Sequence, residues 1–85
     1  MTLVATERFR RDYRHVPAEV RDQVDEALDR LLVNPRHPSL HFKKMQGTAG
    51  IWELRVSIRY RVTLQIDGEQ YVLRRVGPHD VLRTP

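Results

Sequence analysis

Apolar residues recur along the first third of the chain at the spacing of amphipathic helices. Phe9, Tyr13 and Val16 follow at intervals of four and three, and Thr6 stands where an N-cap belongs. Val20, Val24, Ala27, Leu28, Leu31 and Leu32 then trace one apolar stripe. Pro17 predicts the opening turn of this second helix, where a missing N–H costs nothing. Glu19 and Asp22 fall in its first turns, where the helix dipole favours anions. Asn34-Pro35 predicts its end. Only His15-Val16-Pro17 separates the two segments, so an antiparallel helical hairpin is expected.

Beyond a stiff connector, Pro35 to Ser39, the period changes to two. Leu40, Phe42 and Lys44 alternate with His41 and Lys43. Gln46 to Gly50 reads as a loop. Trp52, Leu54 and Val56 share one face of a strand over 51–56, and Tyr60, Val62, Leu64 and Ile66 one face of a strand over 58–66. Asp67-Gly68 predicts a two-residue hairpin turn, followed by a last strand over 71–76 that Gly77-Pro78 ends. Thr2 to Ala5 can add an edge strand. The predicted order is β-α-α-β-β-β-β, in one domain over residues 1–85. This is an α+β fold: an N-terminal helical hairpin packed on a twisted four- to five-stranded antiparallel sheet.

The same alternation sends a polar set away from the helices. Glu53 and Arg55 lie on it, as do Arg59, Arg61, Thr63 and Gln65, if a tight turn at Ser57-Ile58 joins the two strands. Lys43 or Lys44 can join from the preceding strand, and Arg74 or Arg75 from the last. His79 follows directly, next to Asp80, and a carboxylate beside an imidazole can hold its tautomer. Antiparallel sheets often turn one polar face to water, and a cross-strand Glu53–Arg pair explains part of this one for less than about 1 kcal/mol. Three closely placed arginines go beyond that need. Like charges together cost stability, and a polyanionic ligand accounts for them.

Charge supports this view once it is divided. The chain carries +4 over 85 residues, with 13 Arg against 2 Lys. Residues 1–34 hold six Arg and seven acids, whereas 35–85 hold nine Arg plus Lys and four acids. The positive excess therefore belongs to the sheet half. Arginine is the side chain for planar, bidentate phosphate contact. The absence of cysteine excludes disulfides and thiolate metal sites. No apolar run nears the ~18 residues of a membrane span, and Met1 to Ala5 lacks a secretory apolar stretch, so a cytoplasmic location is expected. A chain this short has no room for a large cofactor site beside a core. No metal-ligand set, phosphate-binding glycine loop, dinucleotide fingerprint or serine nucleophile elbow is visible. His37 and His41 are four apart, but Pro38 prevents a helix that would align them. Trp52 and Tyr60 read as core anchors.

The ordered set Asn34-Pro35, Lys43-Lys44-Met45-Gln46-Gly47, Gly50-Ile51-Trp52-Glu53-Leu54-Arg55-Val56, Tyr60-Arg61-Val62 and Val76-Gly77-Pro78-His79-Asp80 resembles the RelE/ParE superfamily of bacterial toxins. These are the toxin halves of type II toxin–antitoxin pairs, and the likeness covers nearly the whole chain. It implies a microbial-RNase-like fold. RelE-like members are mRNA interferases, endoribonucleases that cut messenger RNA in the ribosomal A site without a metal; ParE-like members use a related fold to poison DNA gyrase. Arg61 matches the family's recurrent sheet arginine, which stabilises the scissile phosphate. Glu53 and Arg55 fall where RelE-like members place acid–base or basic residues, and His79 where members carry Arg or His after the last strand. Many RelE-like enzymes also have a C-terminal aromatic that stacks on a base; Asp80 to Pro85 holds none.

On that resemblance Arg61, His79, Glu53 and Arg55 are the expected catalytic set. Lys43, Lys44, Arg59, Arg74, Arg75 and Asp80 are the expected RNA contacts. Glu53 is expected as base and His79 as acid, the reverse being nearly as compatible. The implied partners are messenger RNA, the ribosome and an acidic antitoxin encoded nearby, docked in the groove between hairpin and sheet; no cofactor, metal or membrane is implied. A gyrase-blocking toxin and a plain nucleic-acid-binding module are the alternatives.

Overall fold

Thr6 is where the chain changes from strand to helix. Its backbone is extended, and its Oγ1 accepts a hydrogen bond from the Phe9 N–H at 3.1 Å. In the computed structural model, which describes residues 1–85, this cap separates β1 (Thr2–Ala5) from α1 (Glu7–His15). Pro17 stands just outside α2 (Ala18–Val33) as its N-cap rather than within its first turn. Val24 and Leu31 are wholly buried, with Val20, Ala27 and Leu28 nearly so. Leu32, expected in the same stripe, is 40% exposed, because the helix turns it about 100° past Leu31.

The remaining strands are β2 (Lys43–Lys44), β3 (Ile51–Arg55), β4 (Tyr60–Asp67) and β5 (Gln70–Pro78), in the sheet order β1-β5-β4-β3-β2. Leu54, Val62, Leu64, Leu73 and Val76 join the helical residues in one core. The sheet is mixed, not antiparallel throughout as expected: β1 runs parallel to β5, with Leu3 opposite Tyr71 and Ala5 opposite Leu73. Residue alternation reports which face a side chain takes, not the direction in which an edge strand runs. Beyond Leu73 the outer edge of β5 is covered by the start of the helical hairpin. Thr6 donates to the Leu73 carbonyl through both N–H (3.0 Å) and Oγ1 (2.8 Å), and Asp12 Oδ2 accepts the Val76 N–H at 3.2 Å. An otherwise open edge is thus closed.

Three local departures bear on the site. The hairpin loop is Gly68-Glu69, one residue later than expected, with Asp67 opposite Gln70. Gly68 takes φ 59° while Glu69 stays negative, the pattern of a two-residue turn with glycine in its first central place. The connector contains a 3₁₀ helix, Pro38–Leu40, with Leu40 buried. The last strand runs on to Pro78, and a second 3₁₀ helix, His79–Arg83, then folds the C-terminal residues back over the sheet.

Candidate active site

Pairing across the strands builds the open face. Lys43 lies opposite Glu53, Glu53 opposite Thr63, and Thr63 opposite Arg75, giving one row across four strands. The next row places Arg55 opposite Arg61 and Arg61 opposite Gly77. His79 begins two residues past Gly77, where the C-terminal 3₁₀ helix crosses onto this face. From the other side comes His41, held after the first 3₁₀ helix at the left-handed φ of 44°. His41, Lys43, Glu53, Arg55, Arg61, His79 and Leu82 together line a depression of about 230 Å³.

Arg61 is fixed from below by its own turn. Its Nη1 donates to the carbonyls of Ser57 (2.6 Å), Tyr60 (3.0 Å) and Ile58 (3.2 Å). Burial pulls its guanidinium below the ordinary arginine value; Arg55 pulls the same way and Glu53 opposes both. A cation disfavoured by burial and by a like neighbour gains from an anion placed beside it. Glu53, its side chain 14% exposed, is paired with Lys43 at 3.5 Å. Arg55 makes no ion pair. The depression therefore offers two guanidinium groups and an ammonium for a phosphate, together with a carboxylate and two imidazoles for proton transfer. No three His, Asp or Glu side chains converge at metal-ligand spacing.

Glu53, Arg55, Arg61, His79 and Lys43 are thus brought together, while the other expected residues lie elsewhere. Lys44 is opposite Trp52 and exposed on the edge strand. Arg59 does not share the face of Arg55 and Arg61. The turn closes from the Val56 N–H to the Tyr60 carbonyl (3.0 Å), so β4 begins only at Tyr60 and Arg59 stays in the loop. There it lines a cleft of about 360 Å³ with Glu19 and Gln23 of α2. Asp80 lines a third cleft, about 440 Å³, with Asp12, His15 and Tyr60, away from the His79 depression.

Arg74 and Arg75 lie beyond the C-terminal segment. The register shifts between Thr63 and Leu64, so Arg74 is the unpaired residue of a bulge. Thr63, expected on an open face, is wholly buried beneath that segment and donates to the Pro85 carbonyl at 3.2 Å. His41 is a site residue that motif reasoning passed over. No strand period marks it, because His41 lies outside β2, at the left-handed end of the first 3₁₀ helix.

The helical hairpin covers the opposite face of the sheet with its apolar stripe, so hairpin and sheet meet through the core and only marginal clefts remain open. None of the helices is long and apolar enough to cross a membrane.

The family model described as "ParE toxin of type II toxin-antitoxin system, parDE" matches residues 3–82. No protein of curated function matches the chain by sequence. Among solved structures the chain is similar to the RelBE2 toxin–antitoxin complex of Mycobacterium tuberculosis, at 28% identity and TM-score 0.75, covering 92% of this chain and 96% of that one. Its fold is shared with the RelB-RelE antitoxin–toxin complex from Methanococcus jannaschii, at 20% identity and TM-score 0.76, covering 95% of each chain. The YoeB/ParE toxin from Agrobacterium tumefaciens shares it too, at 19% identity and TM-score 0.78, covering 93% of this chain and 99% of that one. With a family match over nearly its whole length and the fold of these toxins beneath it, the chain belongs to the RelE/ParE superfamily as a toxin of a type II toxin–antitoxin system.

Proposed function

We propose that this toxin is a RelE-like endoribonuclease that cuts messenger RNA, at the ribosomal A site, through the depression around Arg61. The observation that carries this reading is the convergence of Glu53 and His79 with Arg55 and Arg61 in one depression. A surface that only binds needs the cations but not a pair of groups able to exchange protons. In the reaction, the ribose 2′-oxygen forms a bond to the adjacent phosphorus while the bond from phosphorus to the 5′-oxygen breaks. Glu53 takes the 2′-hydroxyl proton and His79 supplies one to the departing 5′-oxygen. Arg61, already oriented by three carbonyls, and Arg55 opposite it hold the charge that builds on the phosphorane. The products are a 2′,3′-cyclic phosphate and a 5′-hydroxyl end, and no step requires a metal. Lys43 keeps the Glu53 carboxylate at the rim of the depression.

The partner in this reading is an acidic antitoxin segment that covers the basic face. It is supported by the neighbours that are toxin–antitoxin complexes, among them RelBE2 of Mycobacterium tuberculosis. The ParE description of the matching family favours a second reading, a non-nuclease toxin acting on DNA gyrase.

Expressing the protein in translating cells and mapping transcript 5′ ends separates the two. New ends with 5′-hydroxyl groups are expected. Arg61→Ala is expected to lower their yield by about 10²–10³-fold, and His79→Ala by about 10²–10⁴-fold. Supercoiling defects or DNA breaks without new ends would overturn the nuclease reading.

A further inference from the structure

The open face carries a second basic depression that the proposed reaction does not use. It measures about 320 Å³ and is lined by Thr6, Arg8, Arg74, Arg75, Thr84 and Pro85, with no acidic side chain in its wall. We propose that Arg8, Arg74 and Arg75 form a phosphate-binding pocket for the same RNA strand, beside the cleaved bond; the proposal rests on the nuclease reading above.

Two of the three guanidinium groups are already fixed. Arg74 donates through Nε to the Pro85 carbonyl (3.1 Å) and through Nη1 to Gln65 Oε1 (2.8 Å). Arg75 donates through Nε to Asp12 Oδ2 (2.8 Å) and through Nη1 to the Thr84 carbonyl and hydroxyl, each at 3.0 Å. In both, Nη2 is left for an outside acceptor. A guanidinium held in place loses little freedom when it grips a phosphate, and its planar fork fits the oxygens. Arg8 is the most exposed member, its side chain 56% exposed, and its one ionic partner is Asp12 at 3.7 Å. Asp12 already serves Arg75 and the Val76 N–H. The Asp12 carboxylate thus faces two of the three guanidinium groups and the main-chain oxygen of Pro85, the last residue of the sequence, faces Arg74; with either form of that oxygen the three guanidinium groups leave the pocket a positive excess.

The placement suits a strand that also enters the first depression. Arg75 and Glu53 stand in the same cross-strand row with only Thr63 between them. Two strand spacings separate them, ~10 Å, a span that a few nucleotides of extended backbone cover. The RNA would pass over the C-terminal segment, leaving its scissile phosphate at Arg61 and a neighbouring phosphate at Arg8 and Arg74.

The test uses the whole protein and a fluorescein-labelled, 2′-O-methyl single strand, which cannot be cut because its 2′-oxygen bears no proton. Binding is followed by fluorescence anisotropy over a range of salt. Arg8→Gln is expected to flatten the slope of log K against log salt by about 0.7, the share of one phosphate on a single strand. Between about 50 and 200 mM salt the variant then loses roughly threefold less affinity than the parent does. Arg8→Lys restores the slope, and Arg74→Gln reproduces the Arg8→Gln change; thermal melts confirm that the Arg8 variants stay folded. An unchanged slope in Arg8→Gln, with the parent still producing new 5′ ends in cells, would overturn the pocket and leave the nuclease reading standing. A flattened slope without new ends would leave a phosphate-binding pocket but overturn both the nuclease reading and the placement of that pocket beside a cleaved bond. A change seen only with a 2′-O-methyl duplex would overturn the placement on the cleaved strand.

Discussion

Asp12 ties together three parts of the molecule, and its removal gives the most direct check on how the open face is supported. From α1 its Oδ2 accepts the Val76 N–H at 3.2 Å and the Arg75 Nε at 2.8 Å, and Arg75 reaches on to Thr84. Val76 is buried, so Asp12→Ala leaves its N–H without a partner at a cost of about 1–3 kcal/mol. The Arg75 pair is less sheltered, the two side chains being 17% and 16% exposed. Screening holds its contribution to about 1 kcal/mol. The sum is roughly 2–4 kcal/mol. At about 4–8 °C per kcal/mol for a domain of this size, Tm is expected to fall by roughly 8–30 °C. Urea unfolding would show a lower midpoint with an unchanged m-value. Asp12→Asn keeps an acceptor for Val76 and is expected to recover about half of the loss. A double-mutant cycle with Arg75→Ala isolates the pair, with a coupling near 1 kcal/mol expected. A Tm within about 2 °C of the parent in Asp12→Ala, or no coupling with Arg75, would refute this account and free Arg75 from its structural role.

Leu31→Ala empties a wholly buried position and is expected to cost about 2–5 kcal/mol in denaturant unfolding. Tyr13→Phe removes the 2.7 Å hydrogen bond to Asp25 Oδ1 at an exposed site, for less than about 1 kcal/mol. That bond, with burial next, raises the Tyr13 pKa, so its stabilisation is present below the ordinary tyrosine value of about 10 and is lost as pH rises through the raised one. Unfolding measured across this alkaline range should show a step in the parent that Tyr13→Phe lacks. His41→Ala is expected to slow RNA cleavage while leaving Tm within about 2 °C, since His41 is exposed and belongs to no core contact. An unchanged rate would remove it from the site.

Much of this fold is legible because burial imposes a period. The stripe from Val20 to Leu31 and the alternation through Trp52, Leu54, Val62 and Leu64 follow from which side of each element meets the core. Glu53, Arg55 and Arg61 inherit their common face from the same alternation. Arg59 escapes it because it lies in a loop, where no period applies. The direction of β1 is equally hidden, since an edge strand buries the same face whichever way it runs. His41 is hidden in the same way: it lies outside β2, and its reach into the depression comes from a left-handed backbone that no pattern announces.

Depth above the sheet is what alternation leaves out, and it decides the form of the site. A two-residue period gives one flat polar face holding Arg55, Arg61, Thr63 and Arg75. The C-terminal segment turns that face into two depressions by lying across Thr63. Three ties set its course. Val81 is buried, with its Cβ where a side chain on Gly77 would meet it at 3.6 Å. Arg74 holds the Pro85 carbonyl and Arg75 holds Thr84. His79 begins this segment, so the imidazole beside Arg61 is positioned in part by two arginines on the other side of it. Their pairing with Asp12 and Gln65 then matters to the chemistry without touching the reacting atoms. Loosening the end of the segment should move His79 before it disturbs Arg61, whose own three carbonyl bonds are local to its turn.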